Sequence, residues 1–120
     1  MLGLSFKADT DDVRESPMIT MLETLIGRGF NIHVFDEYVD PDRLIGANRE
    51  FLLRELPHIV SIMRKPVESL VVESDILIVT NKSETYRKAL DSMRADQILI
   101  DLVGIRDSHT IRGIYEGICW

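Results

Sequence analysis

The chain has 120 residues, 45% of them hydrophobic and 28% charged, with a formal net charge of −6. That size and balance fit one ordinary globular domain with a real hydrophobic core. The acidic surplus argues against a nucleic-acid surface, no apolar run approaches the roughly 20 residues that cross a bilayer, and the start is no secretory leader. A single cysteine, Cys119, leaves no internal disulfide and agrees with a reducing cytoplasm.

Met1 to Leu4 reads as a short first strand, so abrupt that it looks like a cut through a longer polypeptide. A polar loop follows. Between Phe6 and Ser16 it holds the cations Lys7 and Arg14 and the carboxylates Asp9, Asp11, Asp12 and Glu15. Ser16-Pro17 signals a helix start, because serine caps free amides and proline suits the first helical position. Met18, Ile19, Met21, Leu22, Leu25 and Ile26 recur at helical spacing, and Gly27 and Gly29 close the helix, Gly29 as its left-handed cap. Asn31 to Phe35 is a second strand ended by Asp36, completing a β-α-β unit of parallel strands.

The middle is less regular. Arg43 to Leu56 contains a helix that Pro57 interrupts, Ile59 to Met63 reads as a short strand, and Pro66 to Glu73 as a short helix. Ile76 to Thr80 is apolar and β-branched without alternation, as in a central parallel strand buried on both faces. Ser83 to Met93 suits a helix, Gln97 to Val103 a second buried strand ending at Gly104, and Thr110 to Tyr115 a short helix. Alternating strands and helices predict a single α/β domain: a doubly wound, Rossmann-like, mostly parallel sheet with helices on both faces.

A strand feeding a polar loop and a helix start is where such folds collect ligands. Lys7 is placed to contact a phosphate or sugar hydroxyl, Arg14 to grip a phosphate with two parallel hydrogen bonds, and Phe6 to stack on a base or sugar. The competing reading pairs both cations with the loop's own carboxylates and puts Phe6 in the core. Four anions against two cations make a poor free-standing phosphate cradle. Gly3 alone does not make the Gly-x-Gly-x-x-Gly fingerprint of dinucleotide binding, so Asp36 reads as a turn or capping residue rather than a ribose ligand. Asp11 and Asp12 come too late in the loop for a phospho-accepting receiver domain. His33, His58 and His109 are scattered, which gives no metal site, and Cys119, Ser83 and Ser108 lack the surroundings of a nucleophile.

Over fifteen residues, Gly3 to Pro17 resembles the opening of the carboxy-terminal domain of the UDP-glucose/GDP-mannose dehydrogenase family, Gly-Leu-x-Phe-Lys-x-x-Thr-x-Asp-x-Arg-Glu-Ser-Pro, at every fixed position. Asp36 fits a family pattern too, and Asp101 to Gly104 and Glu116 to Trp120 look most like the GDP-mannose branch. The resemblance implies that residues 1–120 form a nucleotide-sugar-binding domain, with no catalytic residue and no cofactor of its own. NAD, a catalytic cysteine and the oxidation of the sugar C6 alcohol would belong to NAD-binding and central domains outside this chain. It further implies Phe6, Lys7 and Arg14 as substrate-binding residues, GDP-mannose as the partner, and self-association. UDP-glucose members carry a substrate-binding arginine where this chain has Val103, a departure that favours the GDP-mannose branch, with Arg106 the nearby arginine available in its place. Two rival readings follow from the same residues: a mainly structural, oligomerising domain, and a UDP-sugar domain.

Overall fold

The computed structural model describes residues 1–118. Helices α1 (Pro17–Gly27), α2 (Gly46–Glu55), α3 (Ile59–Ile62), α4 (Val67–Glu73) and α5 (Glu84–Ala89) accompany strands β1 (Ile76–Val79), β2 (Ile98–Asp101) and β3 (Ile114–Gly117). The three strands form one parallel ladder in the order β1-β2-β3. Single parallel bridges extend it: Leu2 pairs with both Val79 and Phe35, and Val34 pairs with Met63. From one edge the order is thus Met63, Val34–Phe35, Leu2, β1, β2, β3, which is the doubly wound order with its reversal between Leu2 and β1.

Register explains how the sheet divides the core. Partners in a parallel ladder share a face, so Phe35, Leu2, Val79, Leu77, Leu99 and Tyr115 lie on one side and pack with α4 and α5 through Val67, Leu70, Val71, Tyr86 and Ala89. Met1 and Val34 belong to the other core, with Ile19 and Leu22 of α1, Leu52 of α2 and Ile59 of α3. Helices therefore cover both faces. The half of the second face beyond β1 is left open: Ile76, Ile98 and Ile114 stand in register, with Ile76 48% and Ile114 55% exposed.

Two expected elements are replaced. Ile59 to Met63, read as a strand, is a one-turn helix, held by Ser61, whose amide and hydroxyl both donate to His58 O at 3.0 and 2.7 Å. Only Met63 reaches the sheet. Thr110 to Tyr115, read as a helix, is instead the end of a 3-10 turn (Ser108–Thr110) and the start of β3. Gly113 admits that strand, since a Cβ there would collide with the Gln97 carbonyl oxygen. The expected strands Met1 to Leu4 and Asn31 to Phe35 are reduced to single bridges at Leu2, Val34 and Phe35, and Ser83 to Met93 divides into α5 and a 3-10 turn (Leu90–Ser92); the remaining helices and strands fall where the sequence places them, with shorter ends, and Gly29 adopts the left-handed φ of 86°.

A candidate nucleotide-sugar site

The reversal point is built by close backbone approach. Leu2 N donates to Ile78 O at 2.8 Å, Thr80 N donates to Leu2 O at 3.0 Å, and the Thr80 hydroxyl adds a second bond to Leu2 O at 3.1 Å. Gly3, at φ 103°, is needed there because a Cβ would strike Thr80 Oγ1. Just beyond, Asn81 Nδ2 donates to the Ser5 carbonyl at 3.2 Å and to Ser5 Oγ at 3.1 Å. The loops leaving the first strand and β1 are thereby tied together where open α/β sheets bind ligands.

A buried carboxylate, Asp36, holds one side of this edge. Asp36 Oδ2 accepts from the Leu4 and Ser5 amides at 2.7 and 3.2 Å, and its Oδ1 accepts from the Tyr38 and Val39 amides at 2.8 and 2.9 Å. That exhausts its acceptor capacity, so Asp36 is the turn-organising residue of the sequence reading and not a ribose ligand. Glu37 accepts from the Ser83 and Thr85 hydroxyls at 2.7 and 3.0 Å, linking the same turn to the start of α5. Tyr86, packed edge-on against Phe35 with ring centroids 6.0 Å apart, accepts from Glu37 N at 3.3 Å; burial raises its phenol well above its ordinary pKa.

Phe6, Lys7 and Arg14 come together. They line a groove of about 710 Å³ with Thr10, Asp12, Glu15 and Phe51. Val13 is fully buried in the core and pins the loop, leaving its neighbours Asp12 and Arg14 outside. Phe6 is 57% exposed and is not a core residue. The Lys7 carbonyl accepts from the Ser5 and Thr10 hydroxyls, both at 2.8 Å, and its ammonium has no side-chain partner among the described residues. Arg14 is differently placed: Nε and Nη2 form a two-pronged pair with Asp12 at 3.0 Å each, which holds the Asp12 carboxyl below its ordinary pKa. Asp9 and Glu15 adopt left-handed φ of 59° and 56°, uncommon for residues with a Cβ.

A second cavity, of about 610 Å³, opens at the carboxyl ends of β1 and β2, lined by Lys82, Arg87, Arg106, Asp107, His109 and Tyr115 among others. Its back wall is set by Asp101, which is fully buried and accepts from Val103 N at 3.0 Å, Ile105 N at 2.8 Å and the Tyr115 hydroxyl at 2.8 Å.

Comparison with known proteins agrees with this geometry. The model of the UDP-glucose/GDP-mannose dehydrogenase family, UDP binding domain, matches residues 1–108. The chain belongs to that family. It is 40% identical, over its whole length, to the GDP-mannose 6-dehydrogenases of Pseudomonas syringae pv. tomato and Pseudomonas aeruginosa, and spans 28% and 27% of their lengths. A UDP-glucose 6-dehydrogenase of Rickettsia bellii is 30% identical over 95% of the chain, which covers 25% of that protein. A crystal structure of a ternary complex of Pseudomonas aeruginosa GDP-mannose dehydrogenase superposes with a TM-score of 0.83 at 40% identity, over 99% of this chain and 27% of that one.

Within the family frame, Val103 and Arg106 both line the second cavity, and Arg106 is committed to Asp91 at 2.6 Å. Asn81, Lys82, Arg87 and Phe51 were not singled out from the sequence. The signal for Asn81 and Lys82 was their place directly after the Ile76–Thr80 strand, which acquires meaning only once that strand is known to lie beside the first. Among the described residues no group of three His, Cys, Asp or Glu side chains could hold a metal, and no helix is long and apolar enough to cross a membrane. Cys119 lies outside the described residues.

Proposed function

We propose that residues 1–120 are the carboxy-terminal, nucleotide-sugar-binding domain of a larger, cytoplasmic, NAD-dependent 6-dehydrogenase of the GDP-mannose branch. That enzyme oxidises the sugar C6 alcohol to a carboxylate. NAD binding and the catalytic cysteine belong to its other domains, and this domain contributes no catalytic residue and no metal. The observation that carries the reading is the placement of Phe6 and an unpaired Lys7 together on a groove at the reversal point of a family sheet. Lys7 supplies a point charge for a phosphate or sugar oxygen, and Phe6 a face for a ring. Arg14, tied to Asp12, shapes the groove and is the weaker ligand.

Calorimetric titration of the chain with GDP-mannose and UDP-glucose tests this. GDP-mannose is expected to bind more tightly, and Lys7→Ala to weaken it about tenfold or more, the worth of one charge-assisted hydrogen bond. Unchanged affinity in Lys7→Ala removes that residue from the site; preference for UDP-glucose overturns the GDP assignment.

The in-register isoleucines favour a second reading, assembly. Ile76, Ile98, Ile114 and the neighbouring Ile118, itself 51% exposed, form an apolar strip larger than isolated surface residues make. A domain that serves mainly to assemble would be a dimer by light scattering whether or not nucleotide is present.

A further inference from the structure

Both faces of the β1-β2-β3 ladder are apolar, but only one is covered. On the covered face Leu77, Val79, Leu99 and Tyr115 pack under α4 and α5. Side chains alternate along a strand, so Ile76, Ile78, Ile98, Ile100 and Ile114 occupy the other face, and Glu116 completes its second row. None of these five isoleucines belongs to either core. Yet β1 and β2 read Ile-Leu-Ile-Val and Ile-Leu-Ile-Asp, apolar on alternate and intervening positions alike. That is the pattern of parallel strands covered on both sides.

No described helix is left to close that face. α4 leads into β1 and α5 crosses from β1 to β2, both in the same direction across the sheet, and right-handed connections that do so share a face. α1, α2 and α3 belong to the core around Met1 and Val34, on the columns before β1. Three strands about 4.8 Å apart, each of four residues rising about 3.3 Å, give a floor of roughly 14 by 13 Å. A helix with its side chains is about 10–12 Å across, so the floor suits one helix of two or three turns. A stable dimer buries about 800 Å² on each partner, several times this floor. The chain spans only 28% and 27% of the two GDP-mannose 6-dehydrogenases, so most of such a polypeptide is available to supply the helix.

We infer that this face seats one amphipathic helix of the same polypeptide from outside residues 1–120, its apolar stripe on the isoleucines and a lysine or arginine against Glu116. Glu116 is the one charge on the floor and has no side-chain partner among the described residues. The placement depends on the sheet and not on the nucleotide-sugar reading. It gives the isoleucine strip an occupant other than a second copy of the domain.

The test introduces Ile114→p-benzoylphenylalanine into the protein as its gene encodes it, irradiates it, and identifies the crosslinked peptide by mass spectrometry. The expected crosslink lies within one polypeptide, to a segment outside residues 1–120 whose apolar residues recur at steps of three and four. A crosslink to the same face of a second copy, to another protein or to nothing overturns the inference, as does a gene that encodes no further helix. A second measurement compares Ile76→Glu/Ile114→Glu in the 120-residue chain and in the encoded protein. Both side chains are about half exposed in the chain, so its melting midpoint is expected to move by less than about 2 °C, and that of the encoded protein to fall by about 5 °C or more. Equal shifts in the two mean that nothing covers the face, and overturn the helix.

Discussion

Asp36 and Asp101 do for this edge of the sheet what no apolar residue could. Each is buried at the end of a strand and satisfies backbone amides of the loop that must turn there, four in the case of Asp36. Buried amides without acceptors cost roughly 1–3 kcal/mol each, less what water recovers. Asp36→Ala is therefore expected to destabilise the chain by about 3–5 kcal/mol, read as a lower urea midpoint. Asp36→Asn keeps one acceptor oxygen and should lose less than the alanine variant; equal losses would mean that packing rather than the amides sets the cost. The sequence placed Asp36 correctly at the strand end and favoured a turn role. It was silent on the reach of the side chain to Leu4 and Ser5, which lie more than thirty positions away.

At the scale of elements, the first loop is legible and its surroundings are not. Ser16 caps α1 as its motif announces, accepting from Met18 N at 3.3 Å, but its hydroxyl also donates to Leu4 O at 2.8 Å and so fastens the helix to the first strand. Gly3 was read as a lone remnant of a fingerprint, whereas its necessity comes from Thr80, across the sheet. Gly3→Ala forces a Cβ into that hydroxyl at a left-handed φ, so a loss of about 1–3 kcal/mol is expected on thermal or urea melting. A neutral Gly3→Ala would contradict the close approach of the first strand to β1. The two misread segments share a cause. Ile59 to Met63 and Thr110 to Tyr115 are short, and for short segments tertiary pairing overrides propensity: β3 exists because Ile114 to Gly117 can lie against β2, which no local pattern reveals.

For the whole molecule, the alternation of strands and helices was enough to give a doubly wound sheet, and the Gly3–Pro17 motif to give the family. Strand order was not legible, and the second cavity depends on it, because only neighbouring β1 and β2 bring Lys82 and Arg106 to one hollow. Part of that order is held by Met1, whose nitrogen donates to His33 O at 2.8 Å and whose carbonyl accepts from Phe35 N at 3.0 Å, seating the first segment on the second.

The central claim is that a nucleotide sugar lies across the carboxyl edge where the first strand meets β1. It is tested most directly by amide chemical-shift mapping of the isotope-labelled chain titrated with GDP-mannose. The account predicts saturable shifts concentrated in Ser5 to Lys7 and in Asn81 and Lys82. No saturable shift, or shifts confined to the open isoleucine face around Ile76, Ile98 and Ile114, would contradict it.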